Sequence, residues 1–169
     1  MLGYKLTLLL EEAYALDFLN DMLPTIQQYA NVYVSKALRK LQEHTSLGIQ
    51  VGVRVKNDLL YMDIDSDVLK ADEIQEVLKS YRKRKKYHKL KNGELIMIPE
   101  AEMVELDQLF EEMNVQAKDI KATIKLPLYE AYRMEGRINQ LDVVSGKKQA
   151  QYETFMNNIR QINIEDKSA

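Results

Sequence analysis

Between Lys79 and Lys91 the sequence reads KSYRKRKKYHKLK, with eight cations and no acid: Lys79, Arg82, Lys83, Arg84, Lys85, Lys86, Lys89 and Lys91. Such a run can neutralise phosphates, each contact releasing counterions and making affinity salt-dependent. Tyr81 and Tyr87 flank its densest part, where they could stack on bases. The plainer reading is a solvated helix end and strand edge, where Lys also blocks unwanted strand pairing. The 169 residues hold 24 Lys and Arg against 26 Asp and Glu, a net charge of −2. Outside the run, sixteen cations face those 26 acids, so charge is segregated rather than mixed. A wholesale polycation is excluded; a local basic patch is not.

The remaining chemistry-bearing residues argue against a stand-alone enzyme. Cysteine is absent, which removes disulfides, thiolate zinc sites and thiol nucleophiles. Only His44 and His88 are present, too few for a multi-histidine metal site. His88 falls on the Leu90 side of its segment and reads as a partly buried structural histidine. Asp63, Asp65 and Asp67 form a D-x-D-x-D run, but a calcium loop starting at Asp63 needs Gly at its sixth position and a carboxylate at its twelfth. Val68 and Ile74 stand there instead. The pairs Glu11-Glu12, Asp72-Glu73 and Glu111-Glu112 read as solvated faces or first-turn dipole partners. No phosphate loop, dinucleotide fingerprint or serine-hydrolase elbow occurs.

The elements that position these residues follow from periodicity. Ile49, Val51, Val53 and Val55 alternate with polar residues, as do Leu60, Met62 and Ile64. A two-residue turn at Asn57-Asp58 pairs Val55 with Leu60, Val53 with Met62 and Val51 with Ile64, all on one face. Ile74, Val77, Leu78 and Tyr81 predict a helix, acidic at its start and basic at its end. Asn92-Gly93 predicts a type I′ hairpin that pairs Leu90 with Leu95, His88 with Met97 and Lys91 with Glu94. Pro99 opens a helix with the stripe Met103, Leu106, Leu109, Phe110 and Met113. Residues 121–126 read as a strand. Pro127 starts a helix with Leu128, Ala131 and Tyr132. DVVSGKK reads as a loop, and Tyr152, Phe155, Met156 and Ile159 mark a last helix before a fraying IEDKSA tail.

Toward the N-terminus, YKLTLLL could be a strand, Ala13, Leu16, Leu19 and Leu23 suggest a helix before Pro24, and Val32 and Val34 suggest another strand. Strands and helices are interspersed around two hairpins, which predicts an α+β fold rather than a doubly wound parallel sheet. A boundary near residues 66–70 divides the expected domain, 1–169, into subdomains 1–68 and 69–145 with a C-terminal helix at 147–163. No apolar run is long enough for a membrane span. Leu6–Leu10 is too short for a secretory core and runs into Glu11 and Glu12, so the expected compartment is the cytoplasm.

Several blocks resemble a known family. EIQEVLKSY (73–81), KKYHKLKNG (85–93) and ELIMI (94–98) are similar to the core segment of the bacterial SWI/SNF helicase-associated domain. FLNDMLPTIQQYANVYVS (18–35), VKNDLLYMDIDSD (55–67) and KLPLYEAYRMEGRINQL (125–141) resemble flanking segments, so the likeness runs from residue 5 to about 160. KKYHKLKNG is its most specific part. The resemblance implies an accessory domain lying N-terminal to a Snf-family, double-stranded-DNA-dependent ATPase motor. ATP and magnesium would belong to that motor, whose Walker motifs and DEAH-type box this chain lacks; no cofactor, metal or catalytic residue is expected here. His88 stands where the family often carries an aromatic residue.

The functional expectation is a non-catalytic unit that helps the attached motor engage DNA. Arg82, Lys83, Arg84, Lys85, Lys86 and Lys89 would contact the sugar–phosphate backbone without reading sequence. The expected partners are DNA and the motor of the same chain, with no membrane. The alternative is a protein-interaction or autoinhibitory module that docks the basic run on an acidic surface of the motor or a partner.

Overall fold

The alternation in residues 49–66 is realised as a hairpin. In the computed structural model, which describes residues 18–36 and 46–167, β1 (Ile49–Lys56) pairs antiparallel with β2 (Leu59–Ser66). Val51 lies opposite Ile64, Val53 opposite Met62 and Val55 opposite Leu60, the register the hydrophobic pattern predicts. Asn57 and Asp58 take φ of 52° and 58°, the double left-handed step of a type I′ turn. Val51, Val53, Leu60 and Met62 are fully buried.

α2 (Ala71–Arg82) follows, burying Ile74, Val77 and Leu78. A short hairpin comes next, β3 (Tyr87–Lys89) and β4 (Leu95–Met97), and then α3 (Glu100–Glu112). α3 starts after Pro99 and buries Met103, Leu106, Leu109 and Phe110, with Met113 buried just beyond it. β5 (Thr123–Pro127) pairs antiparallel with β2. After the 3-10 turn Leu128–Glu130 comes α4 (Ala131–Ile138), then β6 (Ser145–Lys148) and α5 (Ala150–Lys167). The sheet order is β5-β2-β1-β6, and β3–β4 stands apart as a two-stranded sheet. The fold is α+β. One apolar core runs from Leu47 to Met156 and joins the sheet to α2, α3, α4 and α5.

Several expectations are corrected. The second hairpin pairs Tyr87 with Met97, His88 with Ile96 and Lys89 with Leu95, one residue off the predicted register. Its loop is longer than a two-residue turn: the Gly93 amide bonds Leu90 O at 2.9 Å and the Leu90 amide bonds Glu94 O at 2.8 Å. Only Gly93 has positive φ, at 86°; Asn92 does not. This is the three-residue loop with glycine in the left-handed position, which serves an Asn-Gly sequence as well as a type I′ turn does. The shift places Ile96 at 1% exposure opposite His88. Lys91 pairs with Asp72 at 2.5 Å.

SGKK forms a strand instead of a loop, parallel to β1, with Gln50 opposite Ser145 and Val53 opposite Lys148. Gly146 is required there, because a Cβ would lie 2.7 Å from Ile138 Cγ1. Tyr132 is 71% exposed, so it takes no part in the apolar stripe of α4. Most of the IEDKSA tail is helical, since α5 continues to Lys167.

Near the N-terminus, a π-helical turn at Phe18–Met22 leads into α1 (Leu23–Gln27). The helix continues past Pro24, which sits in the first turn of α1, where its missing N–H costs little. Val32 and Val34 are not in a strand. They pack with Phe18, Leu23, Tyr87, Leu95 and Met97 in a second apolar cluster. The strand expected at YKLTLLL, the residues Ala13 and Leu16, the pair Glu11-Glu12 and His44 lie outside the described residues.

Candidate nucleic-acid interface

The basic run spans three structural settings. Lys79 and Arg82 lie in the last turn of α2, where cations complement the helix dipole. Lys83 to Lys86 form the link to β3. Lys89 is exposed at the end of β3.

The link is shaped by how α2 stops. The Lys85 amide bonds Ser80 O at 3.1 Å and the Arg84 amide bonds Tyr81 O at 2.8 Å. That pair of bonds is the Schellman motif, which requires a left-handed residue just past the helix. Arg84 occupies that position with φ of 59°. α3 ends the same way, with Val115 N on Phe110 O at 2.8 Å, but the left-handed residue is Asn114, which tolerates the conformation better. A long cation at this position of α2 is conformationally costly.

The cations divide by their partners. Lys79 pairs with Glu76 at 2.8 Å, Arg82 donates from Nε to Asp107 on α3 at 2.7 Å, and Lys91 pairs with Asp72. Lys83, Arg84, Lys85 and Lys86 are exposed, and among the described residues none has an acidic partner. The structure therefore groups four of the six predicted contact residues as one solvent-facing cluster and ties Arg82 into the packing of α2 on α3.

The flanking aromatics do not stand free of the fold. Tyr81 packs against the main core and Tyr87 against the second apolar cluster. Burial, with Asp107 and Glu100 nearby, raises the Tyr81 phenol above its usual range. The His88 ring faces α2, its Nδ1 2.7 Å from Ser80 Oγ. Burial lowers its pKa against the pull of Glu76, and Lys85 adds to the lowering. The ring is neutral at pH 7 and adds no charge to the cluster, in keeping with a structural histidine.

Among the described residues the titratable side chains pair within the fold. Asp63 bonds Arg54 at 2.8 Å and Thr123 at 2.7 Å; burial opposes its charge, but these bonds outweigh it and hold the carboxyl below its usual range. Glu135, Lys148 and Arg160 line a polar cleft beside α5. Glu135 takes ion pairs from Lys148, at 3.0 Å, and from Arg160. Tyr152 donates to Ala131 O at 2.8 Å, and its phenol is pushed far up by burial and by Glu135. Among the described residues no group of three His, Asp or Glu could hold a metal ion, and no helix is long and apolar enough to cross a membrane.

A further surface carries no sequence motif. The face of the four-stranded sheet turned from the core aligns Lys125, Tyr61 and Arg54 in one row and Pro127, Leu59 and Lys56 in the next. The signal was available in the off-phase residues of the same alternation that defined the buried face.

A family model described as bacterial SNF2 helicase associated matches residues 3–168. No curated protein and no solved structure matches the chain.

Proposed function

The chain belongs to the bacterial SNF2 helicase-associated family, and from that premise we propose that it brings the phosphate backbone of DNA to a helicase motor. Membership makes it an accessory domain associated with SNF2 helicases; the contact with DNA is our reading. ATP hydrolysis and its magnesium are assigned to the motor.

The observation that carries this reading is the uncompensated cluster Lys83, Arg84, Lys85 and Lys86. A structural role would satisfy these charges, as Asp107 satisfies Arg82 and Asp72 satisfies Lys91. Instead four consecutive cations face solvent, one of them in a conformation that glycine would adopt more cheaply. Lys89, on the adjoining strand, is assigned to the same surface. Contacts of this kind position a duplex without reading its sequence. Tethered to a motor, they raise the local concentration of DNA at the ATPase.

The test is fluorescence anisotropy of labelled duplex DNA at about 50 and 200 mM salt, a range over which several phosphate contacts change affinity by orders of magnitude. The chain is compared with a variant in which Lys83, Arg84, Lys85 and Lys86 are changed to Glu. Salt-sensitive, sequence-independent binding that the variant loses supports the reading. No binding by the intact chain at low salt overturns it and assigns the cluster to docking on an acidic protein surface.

A further inference from the structure

The outer face of the sheet carries a different chemistry from the basic link. Lys125 and Pro127 on β5, Leu59 on β2 and Lys56 on β1 are exposed. Their two adjacent rows hold three cations, Lys125, Arg54 and Lys56, and no acid. Neither Lys56 nor Lys125 has an ion-pair partner among the described residues.

Between them Arg54 is fixed in place. Its Cζ lies over the Tyr61 ring, 4.4 Å from the centroid. Asp63 holds its Nε at 2.8 Å, and Thr123 Oγ1 in turn donates to Asp63 at 2.7 Å. A guanidinium seated on an aromatic ring and gripped from one edge is preorganised. Its side chain keeps 28% exposure, so part of it remains open to solvent. Next to it on β1, Gly52 places no side chain on this face. Just past the end of β5, Tyr129 and Tyr132 are 78% and 71% exposed and offer further aromatic surface.

We propose that this face takes single-stranded nucleic acid, with an unpaired base stacking on the Arg54 guanidinium and phosphates on Lys56 and Lys125. A stacking platform accepts any base, because every base has a π-face, but only one that is not already stacked within a duplex. Neighbouring strands lie about 4.8 Å apart, so Lys125 and Arg54, two strands away from each other, are roughly 10 Å apart, close enough for one base and its own phosphates. The inference rests on residues other than Lys83–Lys86 and goes beyond the duplex reading.

The test measures anisotropy of the 169-residue chain with a labelled oligothymidylate of about 16 nucleotides and with a duplex of the same length. Arg54→Lys keeps the charge and the reach to Asp63 but removes the stacking plane. It is expected to weaken single-strand binding about tenfold, within the range for one stacked base, and to leave duplex binding unchanged. Lys125→Glu, an exposed position on the edge strand, is expected to weaken single-strand binding and to lower its salt slope by about 0.7. Circular dichroism melts establish that each variant is folded; if Arg54→Lys unfolds, Lys125→Glu decides the matter. The variant with Lys83 to Lys86 changed to Glu separates the two readings, since it is expected to lose duplex binding while retaining the Arg54 dependence. Single-strand binding that is absent, or indifferent to both face variants, overturns the proposal. Protection of this face from hydrogen exchange by a helicase motor, without oligonucleotide binding, assigns it to a protein and also overturns it.

Discussion

Glu102 and Glu105, one helical turn apart on α3, each grip the backbone of a segment entering the sheet. Glu102 accepts from Leu47 N at 2.8 Å, Gly48 N at 3.2 Å and Ser46 Oγ at 2.7 Å, immediately before β1. Glu105 accepts from the amides of Asp142 at 2.9 Å, Val143 at 3.1 Å and Val144 at 2.8 Å, immediately before β6. The two strands so held are the parallel pair of the sheet. One helix thus sets the starting points of two neighbouring strands.

Glu102 is 2% exposed, so its acceptors have no solvent to fall back on. Glu102→Gln replaces one acceptor oxygen by a donor that faces other donors. Urea denaturation is expected to show a loss of about 1–3 kcal/mol, the cost of leaving buried groups unpaired.

Glu105 gives a pH dependence of definite sign. Burial opposes its charge, but the amides of Val144, Asp142 and Val143, helped by Arg137, outweigh it and hold the carboxyl below its ordinary value of 4.5. A depressed folded-state pKa contributes stability that is complete above the unfolded value and lost as pH falls through the folded one. Thermal melts of the chain are therefore expected to destabilise progressively below about pH 4.5, and Glu105→Gln to flatten part of that slope while lowering stability at pH 7.

Arg84→Gly separates stability from binding. Glycine relieves the left-handed strain at the end of α2, so the variant is expected to gain about 1 kcal/mol in chemical denaturation. It also removes one cation from the cluster, and the duplex salt slope is expected to fall by up to about 0.9. A variant that is both more stable and weaker in binding is the signature expected.

Arg82 and Asp107 are expected to behave as a structural pair. Their side chains retain 34% and 22% exposure, so a double-mutant cycle should give a coupling of about 0.2–1 kcal/mol. Arg82→Ala is expected to reduce DNA affinity less than Lys83→Ala in the same anisotropy titration, because its charge is already compensated.

Legibility in the sequence followed how far apart the deciding residues lie. The β1–β2 register was readable because eight-residue strands and the Asn57-Asp58 turn agree, and a slip would turn Val53 and Met62 outward. The β3–β4 strands have three residues each, too few to enforce a register, and Asn-Gly suits two loop geometries. β6 was invisible because Ser-Gly-Lys-Lys has no alternation; its strand state is conferred by β1 and by Glu105. The basic cluster was plain as composition, whereas the division of its cations was not. Asp107 lies 25 residues from Arg82 and Asp72 lies 19 residues from Lys91, distances over which only the fold makes partners. The Arg54–Tyr61 stack was hidden for the opposite reason: its residues are close, but they sit in the half of the alternation that carries no hydrophobic signal.

The parallel pairing of β6 with β1 has a consequence for synthesis on the ribosome. Gln50 and Lys147, bonded across these strands, are 97 residues apart in the chain. At about 5–20 residues per second, β1 waits roughly 5–20 seconds with one row of backbone groups unpaired before its neighbour emerges. During that interval a β-rich edge is open to pairing with other nascent chains. Such non-local closure is also slow by nature, because the loop entropy is lost before the contact is gained. β6, with its Ser-Gly-Lys-Lys, covers that side of β1 and becomes the edge of the sheet in its place, where its lysines discourage further strand pairing.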